Sequence, residues 1–308
     1  PEEYVSLCYL EIDRVDSVEE RHSLQEEIGH VLDDVALATG DFEALLSKAR
    51  LARDWIKLLP PDPLEEDEER AEVGEFFNWL IEDRFLFLGY REWRETSGKL
   101  VAQDVDLGLF KSGNPAIAAG LQEVTRDAEH LIRTSGYFQC SKLLTVSSVH
   151  RRGKLDLLTT RSVMNNEIVI QSFVGQLTSR ALSQEAITIP IVRRKIQTLL
   201  DQEGFIPKSH DYKELVSLIS ALPKGDLLQL DRSTIRADLQ IMMGIQRRNE
   251  TKVIIRTHSL SRFFAISIFM PRDRFSSGAL QRIQRFLRRT FVQYDPRSGY
   301  QVSSNEDQ

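Results

Sequence analysis

The side chains best suited to chemistry lie in one short run, Pro271-Arg272-Asp273-Arg274-Phe275-Ser276. An arginine can grip a carboxylate through two parallel N–H···O bonds, and Asp273 can receive an ammonium group, so Arg272, Asp273 and Arg274 supply both halves of a polar ligand site. Ser276 or Ser277 can cap a following helix, whose free N–H groups add a favourable field for an anion. The plainer alternative is that Asp273 pairs with Arg272 or Arg274 and simply fixes the loop. Two apolar elements must position this run. Phe264, Ile266, Ile268 and Met270 alternate with Phe263, Ala265, Ser267 and Phe269, which predicts an inner strand covered on both faces. Pro271 cannot donate to a ladder and ends that strand. Leu280, Ile283, Leu287 and Phe291 then recur at helical spacing and predict a buried stripe.

Other chemistry is sought and not found. No Gly-x-Gly-x-x-Gly turn brings backbone N–H groups against a dinucleotide, since Gly108, Gly113 and Gly120 have the wrong spacing. Neither a Walker A sequence, a His-Glu-x-x-His pair, a Cys/His cluster with zinc spacing nor a Gly-x-Ser-x-Gly elbow occurs, so no catalytic residue, cofactor-binding residue or metal ligand is assigned. His150, within Ser147-Ser148-Val149-His150-Arg151-Arg152, is the most tempting lone acid–base candidate, weighed against a hydrogen-bonded histidine at a strand end. Arg282, Arg285, Arg288 and Arg289 share one helix face, which reads as a solvated or domain-packing surface.

The 308 residues suffice for two or three compact domains. A formal charge of −6 argues against general nucleic-acid binding, which calls for a basic surface. Cys8 and Cys140 are the only cysteines, too few for a disulfide framework, and read as buried thiols in a reducing compartment. No apolar run reaches the roughly 18 residues that would span a membrane, and a cytoplasmic location is expected.

Taken in order, Val5 to Ile12 reads as a strand, and Ser17-Val18-Glu19-Glu20 as a capping box opening a helix to about Thr39 with the core face Leu24, Ile28, Val31, Leu32 and Val35. Asp41 is expected to cap a second helix with the stripe Phe42, Leu45, Leu46, Ala49 and Trp55. Pro60-Pro61-Asp62-Pro63 followed by Glu65-Glu66-Asp67-Glu68-Glu69 reads as a linker that self-repulsion extends. Strands are expected at Phe85 to Trp93, Lys99 to Ala102, Leu107 to Phe110, Leu144 to His150, Lys154 to Thr160 and Glu167 to Leu177, with an asparagine turn before the last. Helices follow, one ending at Gly204, one capped by Asp211, and one from Ser233 to about Gly244. A strand from Lys252 to His258 then pairs with the strand before Pro271. The fold class is α+β, with antiparallel sheets packed by helices. The beginning at Pro1 and the short polar tail suggest a fragment of a longer protein.

A series of motifs in constant order resembles the large bacterial NAD-dependent glutamate dehydrogenases, in their non-catalytic N-terminal region. It comprises Glu11-Ile12-Asp13-Arg14, Phe85-Leu86-Phe87-Leu88-Gly89-Tyr90-Arg91-Glu92, Ser148-Val149-His150-Arg151, Ile189-Pro190-Ile191-Val192-Arg193-Arg194-Lys195, and Arg262-Phe263 with Pro271-Arg272-Asp273-Arg274-Phe275. The resemblance implies the end of a first ACT-like domain at 1–59, the acidic linker at 60–72, a PAS-like domain at 73–186, a helical connector at 187–248 and a second, truncated ACT-like domain at 249–308. It implies no cofactor in this stretch and NAD for the parent enzyme. The implied partners are further copies of itself, the downstream catalytic domain and an amino-acid effector, with neither nucleic acid nor membrane. ACT-like domains take amino acids at the loop leaving the first strand, which matches Arg272, Asp273, Arg274 and Ser276 here. A stand-alone sensor built of the same domains is the alternative.

Overall fold

Runs rich in apolar and aromatic residues in the middle of the chain build the sheet that carries the rest. In the computed structural model, which describes Tyr9 and residues 11–58, 67–96, 99–134, 136–164, 167–204, 209–248, 250–257 and 263–291, this sheet has six antiparallel strands. They are β1 (Phe85–Thr96), β2 (Lys99–Ala102), β3 (Leu107–Gly108), β4 (Phe138–Val146), β5 (Lys154–Met164) and β6 (Glu167–Leu177). The order is β2-β1-β6-β5-β4, with β3 also on β1. The row Tyr90, Phe173, Leu158, Cys140 crosses it in register, so these side chains share one face. The register of β1 on β6 shifts between Phe87 and Gly89. Opposite that bulge Gly175 passes so close to the Leu86 carbonyl that any Cβ would overlap it.

Helices cover both faces. In chain order they are α1 (Val18–Gly40), α2 (Phe42–Leu58), α3 (Asp67–Trp79), α4 (Pro115–Leu121), α5 (Val124–Arg133), α6 (Ser179–Leu182), α7 (Val192–Glu203), α8 (His210–Ser220), α9 (Lys224–Gln229) and α10 (Arg232–Arg248). On one face Leu45, Ala49, Ala52 and Ile56 of α2 and Phe76 and Phe77 of α3 join Phe87, Tyr90 and Phe173, and the same core continues into Ile196, Leu199, Leu215, Leu218, Leu227, Ile235 and Leu239. The Phe173 ring centroid lies 5.6 Å from Phe77, 5.7 Å from Phe87 and 5.0 Å from Tyr90, at edge or tilted angles that suit aromatic quadrupoles. On the other face Ile117, Leu121, Val124 and Ala128 of α4 and α5 pack on Leu88, Trp93, Leu143, Leu157, Ile170 and Val174, and Ala38 of α1 joins them. The chain ends, among described residues, in the hairpin β7 (Lys252–Thr257) and β8 (Phe264–Phe269) and then α11 (Ser277–Thr290).

Several expectations change. α2 and the connector helices share one core with the sheet, so residue 59 does not separate two cores among the described residues. The stripe on α1 is not core: Ile28, Val31, Leu32 and Val35 are exposed, Leu32 by 62%, because the helix docks instead through Asp34 and Ala38. The expected strand at Val5 to Ile12 falls largely outside the described residues, and Tyr9, Glu11 and Ile12 are in no strand. Ser17 does cap α1, its Oγ accepting from Glu20 N at 3.2 Å, but its hydroxyl donates to Glu19 rather than completing a box with Glu20. Asp41 caps nothing with its side chain. Its carboxylate accepts from Gly108 N at 2.7 Å and from Lys111 at 2.5 Å instead. The acidic linker ends earlier than expected, since α3 begins at Asp67 and Glu72 is committed to Arg193. The fourth strand lies at Phe138–Val146, not Leu144 to His150, because Ser147 bonds to Val149 N and O and His150 turns the chain with φ 66. Ser209 rather than Asp211 caps α8. The asparagines of the β5–β6 turn and the turn between β7 and β8 lie outside the described residues. Finally, β8 pairs only with β7 among the described residues, and α11 has no fully buried residue, so the inner strand and its buried stripe are not formed there.

Candidate functional site

The loop singled out by its charges is set between β8 and α11. Arg272–Arg274 form a single 3-10 turn closed by Arg274 N donating to Pro271 O at 3.1 Å, with Pro271 supplying the fixed φ that starts it. Asp273, Arg274, Phe275 and Ser276 are exposed. Ser276 Oγ accepts from Ala279 N at 3.1 Å, so one of the four candidate side chains is spent as the N-cap of α11. The turn therefore brings Arg272, Asp273 and Arg274 together in sequence and offers Asp273 and Arg274 to solvent, while Ser276 holds the helix. Arg282, Arg285, Arg288 and Arg289 are exposed along α11, as a solvated face requires. His150 sits in an exposed turn without the partners that acid–base work needs among the described hydrogen bonds.

A denser charged arrangement, which sequence reading missed, lies where the connector meets the sheet. Each basic residue of the Arg193-Arg194-Lys195 run is committed to a different neighbour. Arg193 grips Glu72 of α3 at 2.8 Å, and the same carboxylate accepts from Ile191 N at 2.8 Å. This holds Ile191 at φ 67, a strained value for a β-branched residue. Arg194 reaches Glu68 at 3.6 Å. Lys195 turns inward, and its Nζ donates to the carbonyls of Leu227, Leu228 and Leu230 at 3.0, 2.9 and 2.8 Å, closing the end of α9. Burial lowers its ammonium to about 8. Nearby, Asp238 of α10 forms an ion pair with Arg256 of β7. A signal for these was present: Lys195 falls on the stripe Val192, Ile196, Leu199, and Asp238 on the stripe Ile235, Leu239, Met242, so both charges point into a core.

Two further polar clusters are structural. Buried Asp34 accepts from Asn114 Nδ2 at 3.0 Å, Ser148 Oγ at 2.6 Å and the Ser112 hydroxyl, fastening α1 to two loops of the sheet domain. Glu92, buried on β1, accepts from the Tyr90 hydroxyl at 2.7 Å with Lys48 of α2 at 3.8 Å. Among the described residues no group of three or more His, Cys, Asp or Glu could hold a metal ion, and no helix is long and apolar enough to cross a membrane.

The segment that contains the Lys195 clamp and Asp238, residues 189–250, matches the family model described as glutamate dehydrogenase, helical motif 1. The hairpin and α11 fall in residues 252–306, which match the glutamate dehydrogenase ACT2 domain. An NAD-specific glutamate dehydrogenase of Halomonas elongata is 28% identical over 295 residues, 93% of this chain and 18% of the relative. This chain is a homologue of the NAD-specific glutamate dehydrogenases. The NAD-specific glutamate dehydrogenase of Pseudomonas aeruginosa is 30% identical over 292 residues, 92% of this chain and 18% of its own length. That of Mycobacterium tuberculosis is 22% identical over 225 residues, 72% of this chain and 13% of its own length. The chain thus spans less than a fifth of the length of the dehydrogenases it matches.

Proposed function

We propose that this chain is a regulatory, non-catalytic part of an NAD-dependent glutamate dehydrogenase, whose reaction converts glutamate, NAD and water to 2-oxoglutarate, ammonia and NADH. The observation that carries the reading is the back-to-back match of residues 189–250 and 252–306 to the dehydrogenase helical motif and ACT2 domain in a chain without a glycine-rich dinucleotide turn. NAD then belongs to a catalytic domain outside these residues. Residues 73–186 act as the PAS-like unit, α7 to α10 as the connector, and the hairpin with α11 as part of an ACT-like unit. The partners are that catalytic domain and further copies of the same chain, in the cytoplasm. Among the described residues the outer edges of β7 and β8 are unpaired, which favours pairing with another strand.

Within this reading the turn at Arg272, Asp273 and Arg274 is the place for an amino-acid effector, an arginine taking its carboxylate and Asp273 its ammonium. The purified 308-residue chain is expected to form no NADH from glutamate and NAD; formation above a buffer control overturns the non-catalytic assignment. Calorimetric titration with a panel of amino acids, repeated with Arg272→Ala and Asp273→Ala, tests the effector site. If no amino acid binds, or if both substitutions leave binding unchanged, the turn is a scaffold.

A further inference from the structure

The hairpin β7–β8 is fastened to the rest of the described chain by few contacts. Its register puts Ile254, Arg256, Ala265, Ser267 and Phe269 on one face and Val253, Ile255, Phe264, Ile266 and Ile268 on the other. The second face contributes little to docking, because Val253, Ile255 and Phe264 are 57%, 62% and 65% exposed. From the first face Phe269 packs at the margin of the larger core and Arg256 pairs with Asp238 of α10. The Lys154 ammonium of β5 adds a contact 4.7 Å from the centre of the Phe263 ring.

The ion pair is the polar heart of this joint and it is poorly compensated. The Arg256 and Asp238 side chains are 16% and 3% exposed, so both have lost most of their water. Such a pair repays that loss only when its remaining polar atoms find partners, and Asp238 Oδ2 is buried without a hydrogen bond. A second carboxylate, Asp226 of α9, feels the same guanidinium, together with Lys142 of β4 and Asp238. Lys142 is already bound to Asp156 of β5 at 2.6 Å. Among the described residues, Asp156, Asp226 and Asp238 thus share this joint with Lys142 and Arg256, and Lys154 lies at its margin.

We propose that this joint is a latch on which the hairpin docks and undocks as a unit while the six-stranded sheet stays folded, with Arg256, paired to Asp238, as the bolt. It goes beyond the regulatory reading and needs no effector, although the 271–276 turn leaves β8 directly and is carried with it. Burial, opposed by Arg256, holds the Asp226 and Asp238 carboxyls above the ordinary range.

Hydrogen exchange of the 308-residue chain, read separately for β7–β8 and for β5–β6, tests the latch. Arg256→Met is expected to speed exchange in the hairpin about tenfold or more and to leave β5 and β6 unchanged. Asp238→Asn, which removes the charge that Arg256 meets, is expected to speed hairpin exchange in the same way and to spare β5 and β6. If Arg256→Met leaves the hairpin unchanged, or loosens the whole sheet equally, the joint is no latch. Unchanged hairpin exchange in Asp238→Asn removes the ion pair from the latch.

Discussion

Replacing Lys195 by methionine keeps an apolar stem and removes the ammonium that ties the connector together. Two opposed quantities decide the outcome. Burial lowers Lys195 from 10.5 to about 8; at 1.36 kcal/mol per pH unit this corresponds to roughly 3 kcal/mol held against the charged form in the folded chain. Against it stand the bonds to the carbonyls of Leu227, Leu228 and Leu230. A buried acceptor that loses its donor costs about 1–3 kcal/mol. With three acceptors stranded, Lys195→Met is expected to be less stable at neutral pH by about 1–4 kcal/mol. The pH dependence has a definite sign. The unfolded chain keeps the proton up to 10.5 while the folded chain releases it from about 8, so wild-type stability gains up to roughly 3 kcal/mol from this residue as pH rises across that window. Urea unfolding of both proteins at steps from about pH 7 to 10.5, taken as a difference curve, cancels the titrating groups that do not couple to Lys195, and a Cys140→Ser background removes the one thiol that does. A flat difference curve refutes the burial argument, and a variant as stable as wild type at neutral pH refutes the carbonyl clamp.

Gly175→Ala forces a Cβ onto the Leu86 carbonyl at the bulge, and is expected to cost about 2 kcal/mol or more in thermal or urea unfolding. Phe173→Ala empties the centre of the aromatic group formed with Phe77, Phe87 and Tyr90, with an expected loss of about 3–5 kcal/mol by the same measurement. Burial raises the Cys140 thiol to about 12, so in a Cys8→Ser background it is expected to resist a thiol-reactive disulfide reagent until the chain is unfolded, and rapid labelling of the native chain contradicts its burial. Because that thiol stays protonated when folded and ionises from 9.0 when unfolded, its contribution to stability is lost as pH rises from 9.0 towards about 12.

Local rules were readable in the amino-acid sequence wherever the cause was local. Ser17 and Ser276 cap the helices they precede, Gly204 ends α7 in the left-handed conformation, and strands form where β1, β5 and β6 were expected. What was lost depended on partners distant in sequence. The apolar periodicity of Leu24 to Val35 describes a real stripe, but only tertiary docking through Asp34 decides that it stays open. Asp41 has the composition of a cap, yet Gly108 N, 67 residues away, competes for it and wins. At the candidate site the turn and the cap were legible, since proline and serine act on their own neighbours. The Lys195 clamp and the Asp238–Arg256 pair were not, because their members come from α7, α9, α10 and β7 and meet only when the helices fold back on the sheet.

The anchoring of α1 has a mechanical consequence. Its 23 residues make a rod of roughly 35 Å at 1.5 Å per residue. The buried grip, Asp34 and Ala38, is confined to the last third. From Asp34 back to Val18 the rod projects by roughly 24 Å, so a tilt of about 10° at the grip sweeps the far end through about 4 Å. The three donors on Asp34 come from the loops before α4 and after β4, so a small shift of either loop is geared up at Val18. α1 is a lever arm with its fulcrum on the sheet domain.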